Sequence, residues 1–142
     1  MKSNVCYLIL AAAGLALAGC NKAESPADVQ QDVASAQQEA QRDVTDAQNE
    51  AQESMADAHE DVIDAQRDNN ADAVADQARD ASETAAQGDF KVAVARAEAT
   101  HKIAVEKCDA LQGTAQEDCK ERADADLENA KRAAEARRDG AG

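Results

Sequence analysis

Aromatic side chains are nearly absent: the 142 residues hold no Trp, one Tyr (Tyr7) and one Phe (Phe90). Large aliphatic side chains are scarce too. From Cys20 onward only fourteen residues are Val, Ile, Leu, Met or Phe. That is about a tenth of the stretch, where a highly charged chain below roughly one-fifth tends towards disorder. A conventional apolar core is thereby excluded, and with it most enzymology, which needs a concave site held by rigid packing. Proline occurs once, at Pro26, and after Cys20 glycine interrupts the interior only at Gly88 and Gly113, so helix breakers are few there. Strand signals are missing, with no β-branched alternation and no hairpin dipeptides. Basic charge is short as well: 15 Lys and Arg stand against 29 Asp and Glu, for a net charge of −14.

What is present begins with an address. Lys2 precedes the apolar run Val5 to Leu17, which is too short to span a bilayer as a mature helix. The run ends in Leu17-Ala18-Gly19-Cys20, which resembles the lipobox of bacterial lipoproteins. The resemblance implies that residues 1–19 are a signal peptide and that Cys20 is acylated and becomes the first mature residue. Asn21 after the cysteine implies sorting to the outer membrane, on its periplasmic face. Each buried methylene contributes about 0.8 kcal/mol and durable anchoring needs more than one acyl chain; a multiply acylated Cys20 meets that requirement. An ordinary secretory signal with a chance cysteine is the plainer reading.

Thirty-one of the residues after Gly19 are Ala, the strongest helix former. The chain therefore reads as all-α. After a tether at 20–26, Ser25-Pro26-Ala27-Asp28 is a helix start, with Ser25 as N-cap, Pro26 in the first turn and Asp28 favourable to the helix dipole. An acidic, Ala-rich helical arm is expected over 27–87, weakened at Asn69-Asn70. A second helix follows from about Phe90 to Gln112, with Gly113 as its C-terminal cap. Thr114-Ala115-Gln116-Glu117 fits a capping box that opens a third helix, and residues 88–142 form a helical hairpin. Partial disorder is the competing state.

Under the arm lies an eleven-residue repeat. The segment from Asp32 to Arg42 is followed by Asp43 to Glu53 with seven positions identical. Lys91-Val92-Ala93-Val94 is echoed eleven residues later by Lys102-Ile103-Ala104-Val105. Eleven residues make three turns at 3.67 per turn, so the apolar stripe stays nearly straight. It comprises Val33, Ala36, Ala40, Val44, Ala47, Ala51, Met55, Ala58 and Val62. Charge divides the chain: residues 20–89 carry a net −14 and residues 90–142 a net −1. The acidic arm disfavours nucleic acid and anionic lipid surfaces, and its plain reading is a solvated, extended segment.

Cys6 leaves with the signal and Cys20 carries lipid, which leaves Cys108 and Cys119 in a compartment where disulfides persist. Eleven residues along one unbroken helix put their α-carbons about 16 Å apart, whereas a disulfide tolerates no more than about 7 Å. An intramolecular bridge therefore requires the chain to reverse between them, and Gly113-Thr114 sits at the midpoint. The alternative is a continuous helix through Gly113, with thiols free or bridging two chains.

Residues from His101 through Cys108-Asp109-Ala110-Leu111-Gln112-Gly113 to Cys119 resemble a Cys-Asp-x-Leu-x-Gly…Cys module. That module recurs in small exported Ala/Lys-rich proteobacterial proteins, a family with no established activity to lend. The arm is similar in composition to late-embryogenesis-abundant desiccation protectants. The anchored-helix plan resembles the small murein lipoprotein, whose terminal Lys joins peptidoglycan; this chain ends Arg138-Asp139-Gly140-Ala141-Gly142, so no covalent wall attachment is expected.

His59 and His101 have no metal-like partner at three or four residues' spacing, and His101 and Cys108, seven residues apart, are about 10.5 Å apart along a helix, too far to grip one ion. No catalytic residue, metal site or cofactor is expected, since nothing holds a triad in geometry. The reading is a non-enzymatic, outer-membrane-anchored lipoprotein with a helical periplasmic body and a structural, spacer or interaction role. It is attached to the membrane through acyl chains on Cys20 and open to a homo-oligomer or a partner helix. An envelope stress protectant and a thiol or metal module on Cys108 and Cys119 are the alternatives.

Overall fold

A computed structural model describes residues 23–140. The described chain is all-α, with three helices: α1 (Pro26–Arg67), α2 (Ala71–Cys108) and α3 (Thr114–Asp139). At 1.5 Å per residue they are about 63, 57 and 39 Å long. α1 opens as the sequence dictates. The Ser25 hydroxyl accepts from the Asp28 amide at 3.3 Å and donates to the Asp28 carboxylate at 2.8 Å, with Pro26 in the first turn.

The helical arm expected to about Gln87 is divided where Asn69-Asn70 was expected to weaken it. α1 stops at Arg67 and the chain reverses within Asp68-Asn69-Asn70. Asn69 takes the left-handed conformation, with φ 52°, a region Asn tolerates better than most non-glycine residues. Asn70 is the N-cap of α2, its side-chain oxygen accepting from the Ala73 amide at 3.2 Å. The two asparagines therefore end one helix and start the next. The expected break at residue 88 is absent: Gly88 lies inside α2, buried, where a methyl group would sit 3.0 Å from the Ala51 Cβ. Glycine is there because two backbones approach closely.

The second reversal falls between the cysteines. α2 ends at Cys108, four residues before the expected Gln112, and Gly113 (φ 58°) is the N-cap of α3 rather than the C-terminal cap of α2. Thr114 is the first helical residue, and no side chain caps this end, so the expected capping box does not form. The Gly113 carbonyl instead accepts from the amides of Gln116 and Glu117 at 3.1 and 3.2 Å. Cys108 and Cys119 form a disulfide, with α-carbons 5.7 Å apart. The bridge staples the α2–α3 hairpin, and the continuous helix through Gly113 is not adopted.

α2 is the middle element. It packs along α1 on one side and α3 on the other, and among the described residues α1 and α3 do not meet. Gly88 faces α1 and Cys108 faces α3; twenty residues at roughly 100° each put them on nearly opposite sides of α2. The three helices thus form a flat antiparallel layer. Its buried side chains are small: Val29, Ala36, Ala40, Ala123, Ala134 and Cys108, of which Cys108 is the largest that is fully buried. The stripe read from the eleven-residue repeat is the α1 surface against α2, with Ala36 and Ala40 buried and Val33, Val44, Ala47, Ala51, Ala58 and Val62 half-buried. Met55 departs from it at 49 % exposed.

Candidate functional site

The stapled end of the layer concentrates the polar contacts. Asp109 follows Cys108 as the C-cap of α2, and its backbone carbonyl accepts from the Glu24 amide at 3.1 Å. Its carboxylate meets Lys120 Nζ at 2.7 Å and accepts from Gln116 Nε2 at 2.7 Å. One half-buried aspartate therefore ties the start of α1, the end of α2 and the first turns of α3 together. The module resemblance marked Asp109 by its place beside Cys108; nothing in its spacing disclosed this bridging role. Leu111 of the same module is exposed, and Gly113 supplies the left-handed turn.

Charge at this end has two signs. Desolvation where the exposed Glu24 carboxyl meets the stapled end pushes it up from its ordinary value, and repulsion from Asp32, Asp109, Glu106 and Asp28 adds to the shift. The hydrogen bond it donates to the Asp109 carboxylate holds the Lys120 ammonium above its ordinary value. The first described residues sit beside the disulfide, and the Asn69-Asn70 turn lies at the far end of α1.

Two Lys–Glu pairs join α1 to α2, Lys91–Glu50 and Lys102–Glu39, each at 2.5 Å. They are spaced by eleven residues on both helices, so the two repeats interlock as an antiparallel ladder. The equal periods were legible in the sequence; their pairing was not read there. Lys131–Glu98 at 2.9 Å makes the matching bridge from α3 to α2, and its hydrogen bond holds the Lys131 ammonium above its ordinary value. Such exposed pairs contribute about 0–1 kcal/mol each, so they orient the helices more than they bind them.

Over α2, between α1 and α3, runs an open groove. The part of it lined by all three helices, of about 550 Å³, is bounded by Gln48, Gln52 and Met55 on α1, Phe90 and Arg96 on α2, and Arg137 on α3. Arg138 lies over the Phe90 ring at 4.6 Å, a cation–π contact that fastens the end of α3. Arg96 borders the whole groove, towards Val44 and Ile103 on one side and Leu127 on the other.

The histidines are not brought together. His59 is exposed on α1, while His101 shares a 2.6 Å hydrogen bond with Asp124 of α3. Among the described residues no three His, Cys, Asp or Glu side chains form a group able to hold a metal ion, and no described helix is long and apolar enough to cross a membrane. Cys20 lies outside the described residues. No protein family model, curated protein or solved structure matches this chain.

Proposed function

We propose that the chain is a lipoprotein of the bacterial envelope, held at the outer membrane by acyl groups on Cys20, whose helical body serves as a spacer and interaction element rather than a catalyst. The support at the N-terminus is Leu17-Ala18-Gly19-Cys20 after a short apolar run. The observation that carries the reading is directional. Glu24, four residues after Cys20, is hydrogen-bonded to the stapled end of the layer. Four residues of chain reach at most about 14 Å, so an acyl group on Cys20 holds that end against a membrane. α1 then leads about 63 Å away to the Asn69-Asn70 turn.

Along that length the charge changes. Residues 53–83, the part of the α1–α2 hairpin farthest from the tether, carry ten carboxylates and two arginines. An acidic tip remote from the surface keeps the rod upright by repulsion from anionic headgroups and leaves it soluble. The disulfide hardens the tethered end, where a body with no large fully buried side chain among the described residues most needs it.

The experiment is to express the full chain with Cys20→Ser and follow palmitate labelling and fractionation. Loss of label and release from membranes are expected; unchanged palmitate incorporation refutes the anchor. Protein from the periplasm also separates the spacer from a stress protectant, since the spacer reading expects a helical circular-dichroism spectrum in dilute buffer without drying.

A further inference from the structure

The two faces of the layer differ in kind. One carries the cross-helix pairs Lys91–Glu50, Lys102–Glu39 and Lys131–Glu98. The other is the open groove, and its α1 bank is uncharged: Gln37, Gln41, Val44, Gln48, Gln52 and Met55. α1 contains eleven carboxylates, and none lines the groove. In a chain with 31 % charged residues, a neutral bank about five turns long with Met55 half-exposed at its end marks a surface kept for contact. The charges facing the groove balance: Asp89 and Asp126 against Arg96 and Arg137, with Arg138 paired to Asp139. Neither Arg96 nor Arg137 belongs to an ion pair among the described residues.

We propose that a second copy of this chain covers this face, forming a two-fold dimer whose axis runs parallel to the helices. Area is the first argument. Helix axes lie 8–10 Å apart, so three helices span about 20 Å. Over the roughly 39 Å of α3 the face offers about 800 Å² per copy, which is what a standard stable interface takes from each partner. A balanced face with unsatisfied guanidinium and carboxylate groups is also self-complementary, as an isologous contact requires.

Charge then selects the orientation. α1 carries a net −9 and α3 a net −2. An axis across the helices stacks α1 on the partner's α1, setting −9 against −9. An axis along them stacks α1 on the partner's α3 and α2 on the partner's α2, and avoids that repulsion. It also puts both N-terminal ends at one end of the dimer, as two anchors in one membrane require, although the face and its charge stand without that reading.

The test uses the full chain in detergent, density-matched so that sedimentation equilibrium reports protein mass alone. Wild type is expected at the mass of two chains at micromolar concentration. Gln41→Glu with Gln48→Glu adds like charge to the neutral bank and is expected to weaken the dimer at least tenfold with helicity unchanged; Asp43→Asn, on the other flank of α1, is expected to leave it intact. Orientation is read by oxidation: Gln48→Cys paired with Ala133→Cys crosslinks two chains, whereas Gln48→Cys alone does not. A monomeric wild type, a monomer whose Met55 is shielded only by added lipid vesicles, or a dimer indifferent to the two glutamates overturns the proposal. Crosslinking by Gln48→Cys alone overturns the parallel axis.

Discussion

Gly88 and Ala51 test whether close helix approach sets the α1–α2 register. A Cβ built on Gly88 stands 3.0 Å from the Ala51 Cβ, 3.5 Å from its Cα and 3.9 Å from its carbonyl oxygen. Carbon atoms settle at about 3.5–4.0 Å, so Gly88→Ala forces the helices apart by about half an ångström. Ala51 has no rotamer through which to yield. Overpacking of this kind costs about 1–3 kcal/mol, while replacing a helical glycine by alanine returns about 1 kcal/mol. The net expectation is a loss of about 1 kcal/mol, although helix propensity alone predicts a gain.

The double variant isolates the cause. Ala51→Gly by itself loses about 1 kcal/mol of helix propensity. Combined with Gly88→Ala it moves the methyl group from one helix to the other. The new Cβ then meets Ala51's former Cα position at an ordinary 3.5 Å. The swap is therefore expected within about 0.5 kcal/mol of wild type, against about 2 kcal/mol lost if the singles add, a coupling that a double-mutant cycle reads directly. Urea unfolding followed by far-ultraviolet circular dichroism supplies the four free energies. Additive losses, or a Gly88→Ala variant stabilised by a full 1 kcal/mol, refute the close approach.

Removing the staple with Cys108→Ala and Cys119→Ala frees a loop of about twelve residues and is expected to cost about 3 kcal/mol on the chain-entropy account; a loss below about 1 kcal/mol in urea unfolding contradicts it. The exposed Glu24 carboxyl is pushed up by desolvation and then by its acidic neighbours from an ordinary value of 4.5, so the native state holds this proton more readily than the unfolded chain. Its contribution favours folding below 4.5 and is lost as pH rises through the higher native value. Glu24→Gln should accordingly raise Tm slightly at pH 7 and leave it unchanged at a pH well below 4.5, and an equal shift at both would assign the effect to something other than ionisation.

Helix content and the start of α1 were legible because both depend on neighbours in sequence: Ala propensity, the Ser25 hydroxyl and Pro26. The stapled hairpin was legible because a covalent distance limit acts on a known spacing. The reversal at Asn69-Asn70 showed only as a weakness. Asn is an ordinary, if poor, helix residue, and its left-handed state becomes favoured when tertiary packing of α2 on α1 rewards the turn. Gly88 misled for the converse reason. As a propensity signal glycine marks an interruption, but here a facing helix needs its missing methyl group, and only the partner at Ala51 discloses that. Thr114 failed as a cap because Cys108 ends α2 early and Gly113 takes the N-cap position, leaving Thr114 as the first helical residue. Asp109 needed three segments to converge before its bridging role existed.

The groove follows from the scarcity of large apolar side chains. A third helix ordinarily nests in the furrow between two others because large side chains reward the closed triangle with a shared apolar centre. Here the interfaces are Ala36, Ala40, Ala51, Gly88, Ala123 and Ala134, which allow helices to approach closely in pairs but leave nothing to fill a common centre. Burying a methyl group stabilises far less than burying a leucine at roughly 25 cal/mol per Å², so the penalty for leaving α1 and α3 apart is small. The 108–119 staple and the Arg138–Phe90 contact then fix α3 at both ends on the side of α2 away from α1. A flat layer with one salt-bridged face and one neutral face is the result, and the neutral face is left with surface to offer to another chain.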